Sequence, residues 1–485
     1  MGASHSISDL HVADVRLAEA KPYPTIARDA LYDKYANRIK VNPDLDRTLV
    51  SFQANRGEPL YGWFKYKEGF SSRLVAYFID RLAKAPGVLL DPFAGAGAAL
   101  FASAELGWHA IGIELLPVGF YVMSARQSGT MVDPGKFAER IRVASSVRFS
   151  DLATPEYAFR HIPITEGAFP PITAKEMAGY LRYCDEMIQD AHVRRLFRFA
   201  CFAVLEEVSY TRKDGQYLRW DHRNPKNRSL AHFHKGTIHP FRKAVLRQLA
   251  TMADDMATVA ELRPRASPLG SLDIRQGSCL DSLPQMAGES VDLVITSPPY
   301  CNRYDYTRTY ALELAFLGSS AQEVKNLRQE MLSCTVENKE KVEMLRRSYA
   351  ERGHSHRFGK VHHTFESQDA LQEVLNALEQ CRLSDKLNNV NVPRMVRNYF
   401  YEICFVIFEL ARLLRPGGKI VMVNDNVRYA GEEVPVDLIL SDFARSFGLK
   451  VRYIWALPRG KGNSSQQMGC HGRRELRKCV YIWER

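Results

Sequence analysis

Val88-Leu89-Leu90-Asp91-Pro92-Phe93-Ala94-Gly95-Ala96-Gly97 is the stretch that decides how this chain folds. The aliphatic run reads as a buried strand, and the glycines let the backbone turn sharply and come close to a ligand. Ala98-Ala99-Leu100-Phe101-Ala102 then starts a helix, so strand, glycine turn and helix form the first half of a βαβ unit. One helix later, His109-Ala110-Ile111-Gly112-Ile113-Glu114 reads as the second strand and ends in an acid. An acid there can accept hydrogen bonds from both ribose hydroxyls of a nucleoside. The commonest rival is a dinucleotide site. Its fingerprint wants Gly or Ala where Leu100 stands, and Asp91-Pro92-Phe93 is no part of it, so a nucleoside cofactor of another kind is expected.

Downstream, Asp273 to Ser278 reads as a third strand and Val291-Asp292-Leu293-Val294-Ile295 as a fourth. The fourth runs into Thr296-Ser297-Pro298-Pro299-Tyr300. Two successive prolines can neither continue a sheet ladder nor enter a helix interior, so the backbone leaves the strand stiffly extended. It presents a hydroxyl, a fixed carbonyl and an aromatic face, which together suit a flat heterocycle bearing an exocyclic amino group. Arg303 to Arg308 reads as a polar aromatic loop, followed by a helix through Leu312, Leu314 and Leu317. Residues 399–414 read as a helix stopped by Arg415-Pro416-Gly417-Gly418, and Lys419 to Val423 as a fifth strand. A helix over 436–447 and two last strands, 451–457 and 479–483, close the sequence around a Gly/Ser-rich loop. Upstream, Leu74, Val75, Phe78, Ile79 and Leu82 recur at helical spacing behind Ser71 or Ser72 as N-cap. Residues 1–59 read as an irregular or helical arm to which no chemistry attaches.

The chain has 485 residues, 46% hydrophobic and 25% charged, enough for two or three soluble domains. No apolar run is long enough to span a membrane, and the loose myristoylation match at Met1 to Ser6 reads as chance. Nine scattered cysteines point to a reducing cytosol. The formal net charge of +11 favours a polyanionic partner. Two stretches, 129–269 and 319–395, interrupt the α/β rhythm. Within the first, Arg212, Lys213, Arg219, Trp220, Arg223, Lys226 and Arg228 interleave basic and aromatic groups with few acids, which suits phosphate contact and stacking. Its histidines at 222, 232, 234 and 239 lack cysteine or acid partners, so no metal is expected.

Taken together, these segments resemble the amino-methylating DNA methyltransferases that use S-adenosylmethionine. Asp91-Pro92-Phe93-Ala94-Gly95-Ala96-Gly97 looks like that family's cofactor loop, Ser297-Pro298-Pro299-Tyr300 like its catalytic motif, and Phe70-Ser71 like its upstream cofactor motif. Glu114 stands where the ribose-binding acid does, and Arg415 to Gly418 and the Arg459 loop with Ser464-Ser465 also fit. The resemblance covers 60–128, 270–318 and 396–485. It implies an α/β, Rossmann-like seven-stranded sheet with an antiparallel last strand and two mainly helical insertions. It also implies double-stranded DNA as partner, a flipped-out base, a prokaryotic cytosolic setting and the possibility of a cognate restriction endonuclease. Sequence recognition is then assigned to 129–269, helped by 319–395 and Arg303. Within the family, serine at the first motif position accompanies cytosine N4, so Ser297 implies N4-cytosine, with N6-adenine and a catalytically inactive DNA-binding protein as alternatives. One departure is Ser278, where the family often has an acid near the adenine amino group. Neither oligomeric state nor recognition sequence is legible.

Overall fold

The computed structural model describes residues 23–214, 217–225, 233–262, 270–458 and 476–485. Its centre is a mixed sheet of eight strands in the order β1-β11-β12-β8-β7-β2-β3-β6. These are β1 (Ile39–Val41), β2 (Val88–Asp91), β3 (His109–Glu114), β6 (Ser271–Gln276), β7 (Val291–Thr296), β8 (Leu414–Asp425), β11 (Lys450–Ala456) and β12 (Lys478–Glu484). Hairpins β4 (Thr211–Asp214) with β5 (Tyr217–Trp220), and β9 (Val427–Tyr429) with β10 (Glu432–Val434), lie apart from it. Every neighbouring pair in the large sheet is parallel except the two that β12 makes, with β11 and β8. The expected antiparallel last strand is therefore present.

Side chains alternate across a strand, and here both faces are covered. Leu90, Val294, Ile420 and Met422 enter one buried cluster, whereas Leu89, Leu293, Ile295, Val421 and Val423 enter another on the opposite face. That two-sided burial is why these strands read as unbroken apolar runs. The chain leaves β2 for β3 and β6 on one side, then returns to β7 on the other. A crevice opens at such a reversal, outside the carboxyl ends of β2 and β7. Those ends are Asp91 and Thr296, the starts of the two motifs.

Two expectations need correction. The arm before residue 59, expected to be irregular or helical, also joins the core and the sheet. Its Ile26–Tyr35 helix packs into the core through Leu31 and Tyr35, and β1 adds an eighth strand parallel to β11. Three residues are too few to show a period, which is why β1 is invisible in the sequence. Arg28, only 5% exposed, donates to Glu373 and Glu432, both at 2.8 Å. The second correction is small. The Val392–Leu413 helix ends as expected, but Arg415 to Gly418 lie inside β8, with Gly417 left-handed at φ +80°.

Neither insertion stands alone. The Ala191–Val208 and Phe241–Leu262 helices of the first share a buried cluster with Trp63, Phe64, Val118 and Leu312. In the second, the Val342–Glu351, Ser355–Glu366 and Asp369–Leu383 helices pack on Val392–Leu413. All eight described cysteines are unpaired, and no described helix is long and apolar enough to cross a membrane. Arg28→Ala leaves buried Glu432 without its cation and should cost about 3–5 kcal/mol of folding stability, measured by urea denaturation.

Candidate active site

The crevice at the strand reversal is a cavity of about 940 Å³ including its open mouth. It is lined by Phe70, Asp91, Pro92, Phe93, Gly95, Glu114, Ser278, Ser297 and Pro299, so it brings the two motifs to one space. Asp91, 1% exposed, joins them directly. Its Oδ1 accepts the Thr296 hydroxyl at 2.6 Å and the Phe93 N–H at 3.0 Å. Glu114 holds the glycine turn: Oε2 accepts the Gly95 N–H at 2.6 Å and Oε1 the Leu116 N–H at 2.7 Å. Each carboxylate oxygen keeps a second lone pair for a ligand hydroxyl.

Backbone geometry explains the glycines. Gly95 has φ +53°, and a Cβ there would lie 3.0 Å from the Tyr66 ring. Gly97 has φ +81°, and a Cβ would meet Met123 Cγ at 2.8 Å, so it serves packing and caps the Ala98–Glu105 helix without lining the cavity. The bulk of Leu100 is accommodated from the other side, because a Cβ at Gly112 on β3 would come within 2.5 Å of it. The small residue that lets helix and strand pack closely is thus on the strand.

Some expected positions act differently. Ser71 is fully buried, donates to the Leu49 carbonyl at 2.7 Å and caps the Ser72–Leu82 helix by accepting the Leu74 N–H at 3.2 Å. It is a helix cap and does not line the cavity. Ser278 lines the wall while capping the next turn. At the catalytic motif, the Ser297 hydroxyl lies 3.1 Å from the Val423 carbonyl and 3.3 Å from the Tyr300 hydroxyl. Tyr300 is half-buried, its phenol pushed up by burial and by Asp425.

Sequence reasoning missed several wall residues. Phe52 and Asn55 come from the N-terminal arm, and Glu330, Met331 and Leu332 from the second insertion. A buried ion pair, Lys341 to Glu402 at 2.9 Å, holds that insertion in place, with Lys341 also donating to the Met331 carbonyl at 2.8 Å. Arg126, 1% exposed, donates to the carbonyls of Ala96, Leu60 (3.1 Å) and Tyr61 (2.9 Å), and burial lowers it to about 10. It pins the glycine turn to the segment before Phe70. A lone arginine in an otherwise uncharged helix was the available signal.

The basic stretch divides by strand alternation. On β4 and β5, Arg212 and Arg219 are cross-strand partners and exposed; Arg219 pairs with Asp214 at 2.9 Å and stacks 4.1 Å over Phe233. Lys213 points the other way, is 4% exposed and pairs with Glu313, so the expected polyanion contact is corrected: its charge is spent inside. Arg223 is exposed and clamped on Asp221 at 2.7 and 2.9 Å. Trp220 is half-buried, and Arg303 donates to Asn388 at 2.9 Å. Lys226, Arg228 and the Arg459 loop lie outside the described residues. Among the described residues, no three His, Cys, Asp or Glu side chains are placed to hold a metal.

No family model matches this sequence. The chain is 42% identical over 460 residues to the Type II methyltransferase M.AvaI of Nostoc sp., covering 94% of this chain and 92% of that one. It is 37% identical over 477 residues to the Type II methyltransferase M.BsoBI of Geobacillus stearothermophilus, covering 95% and 92%. Among solved structures, the rRNA methyltransferase aviRa from Streptomyces viridochromogenes aligns over 86% of this chain and 85% of its own, at 10% identity and a TM-score of 0.26.

Burial pushes Asp91 and Glu114 up to about 7. A carboxyl raised from about 4 favours the fold when protonated, so its stabilising share is complete below pH about 4 and is lost as pH rises through about 7. Ligand-free protein should therefore lose thermal stability across that window, and Asp91→Asn should flatten the fall in a series of melting curves.

Proposed function

Because the chain belongs to the type II methyltransferases, we propose that it moves a methyl group from S-adenosylmethionine to the N4 amino group of a cytosine flipped out of double-stranded DNA. A place in a restriction-modification pair, with a cognate endonuclease cutting the same site, is part of that proposal. The donor fits the cavity on three observations. The glycine turn is open where a side chain would press on Tyr66, Glu114 keeps lone pairs for two hydroxyls, and the walls between are apolar and aromatic. When bound there, the donor supplies a methyl on a positively charged sulfur, which needs no further activation.

The protein's task lies on the acceptor side. An exocyclic amino nitrogen is a weak nucleophile, since its lone pair is delocalised into the ring. The observation that carries the reading is the Ser297 hydroxyl, whose single proton has two acceptors within reach, the Val423 carbonyl at 3.1 Å and the Tyr300 hydroxyl at 3.3 Å. Its lone pairs are then left to accept from an amino group. The Pro298 carbonyl, held by the stiff Pro298-Pro299 backbone, accepts the second amino proton. Two acceptors draw the nitrogen toward a pyramidal form with its lone pair free to attack the methyl carbon, while Tyr300 offers a ring against the base. Catalysis is then positioning and electrostatics, with no covalent enzyme intermediate. Phe70 and Ser278 complete the donor wall. Arg212 and Arg219, exposed together on β4 and β5, are the phosphate contacts favoured within 129–269.

Ser297→Ala should leave donor binding within a few-fold and cut turnover by about 10²-fold or more, read by isothermal titration and a labelled-methyl assay on duplex DNA. Unchanged turnover removes Ser297 from the chemistry. Digesting the product to nucleosides should yield N4-methylcytosine; methyladenine would overturn the base assignment. Replacing Arg212 and Arg219 together by Gln should weaken DNA binding and lower the salt slope by about 2.

A further inference from the structure

The order of the strand ends orders the cavity. Ser297 follows β7, the glycine turn follows β2, Glu114 ends β3 and Ser278 follows β6, and these strands stand side by side as β7-β2-β3-β6. A donor whose methyl faces Ser297 and whose ribose hydroxyls meet Glu114 has its direction set. The ribose carries the sulfur arm and the base on opposite sides of its ring, so the base lies toward the end of β6. The turn there is tied to the ribose acid: Glu114 is the register partner of Gln276, and its carbonyl accepts the Gly277 N–H at 3.0 Å.

Adenine brings to that end two flat faces, ring nitrogens that accept and an amino group that donates. Leu280, Met331 and Leu332 supply apolar wall for the faces. Ser278 is neutral, and its hydroxyl already accepts the Leu280 N–H at 3.3 Å, which leaves its proton for a ring nitrogen. Asp281, the next acid of that turn, does not line the cavity. The acid that does is Glu330, on the segment of the second insertion that covers the turn, where Leu332 shares a buried cluster with Cys279 and Leu280.

Glu330 is exposed and stands last in the Ala321–Glu330 helix, where the negative end of the helix disfavours an acid. Arg328 of the same turn is occupied by Asp305 at 3.1 Å. The other charged groups of the wall, Glu68, Asp91, Glu114 and Arg126, all make hydrogen bonds within the chain. Among the described residues, none forms an ion pair or hydrogen bond with the Glu330 carboxylate. We infer that Glu330 is a binding residue for the base of the donor, its carboxylate accepting a proton of the adenine amino group from the side of the second insertion. The inference rests on the reading of the cavity as the methyl-donor site.

Titration calorimetry tests it with S-adenosylhomocysteine and with the analogue in which hydrogen replaces the adenine amino group. The wild-type protein should prefer S-adenosylhomocysteine by about tenfold, as expected for a charge-assisted contact at a solvent-open mouth. Glu330→Ala should lose about that factor for S-adenosylhomocysteine and hold the analogue within twofold, so the preference disappears. An unchanged preference in Glu330→Ala overturns the inference, and so does an equal loss for both ligands, which would place Glu330 against another part of the donor. Asp281→Ala should keep the preference; its loss there would give the contact to the β6 turn and overturn the inference too. Wild-type protein that binds both ligands equally removes the inference alone, whereas wild-type protein that binds neither removes the donor reading with it.

Discussion

The site depends on one hydrogen bond between neighbouring strand ends, from the Thr296 hydroxyl to Asp91 Oδ1 at 2.6 Å. It joins the last residue of β2 to the last residue of β7, where the strand order reverses. Both groups are buried, so the bond forms where water cannot compete and where leaving either end unmade is expensive. The register of β2 on β7, Leu89 with Leu293 and Leu90 with Val294, is what puts the two ends side by side. A glycine turn and a serine hydroxyl about 200 residues apart in sequence thereby face one cavity.

Around that point the chain uses buried cations to fix irregular backbone. Arg126 takes three carbonyls, one from the glycine turn and two from the segment at 60–61. Lys341, paired with Glu402, holds Met331 against the cavity, and Lys213, paired with Glu313, holds the β4–β5 hairpin against the Ala311–Phe316 helix. Each pair lies where an insertion meets the sheet domain. Breaking such a pair would strand a charge in the interior, which opposes drift of the insertions away from the site. The hairpin that presents Arg212 and Arg219 outward is thus tied to the Ala311–Phe316 helix through the residue next to Arg212 on β4, Lys213.

Much of the fold is legible in the residues alone. The apolar runs at 88–91, 291–295 and 419–423 announce strands because they are buried on both faces, and the glycine turn and double proline mark where two of those strands stop. Glu114 and Asp91 are placed in the cavity wall as residue type and position suggest. Other roles are not legible. Ser71 caps its helix as its position suggests but does not also line the cavity; Lys213 looks like a phosphate contact and is an interior ion. A residue type states what a side chain can do, whereas the partner that captures it comes from elsewhere in the chain.

By itself, then, the sequence determined the elements, their two-sided burial and the two motifs, since these depend on local periodicity and on the backbone limits of glycine and proline. Only the tertiary structure decided that the N-terminal arm supplies an eighth strand and two wall residues, and that alternation along β4 turns Lys213 inward. Those outcomes rest on contacts between residues far apart in the chain, such as Ile39 on Ile454 and Lys213 on Glu313. No local rule of spacing carries them, because burial and pairing belong to the folded interior as a whole.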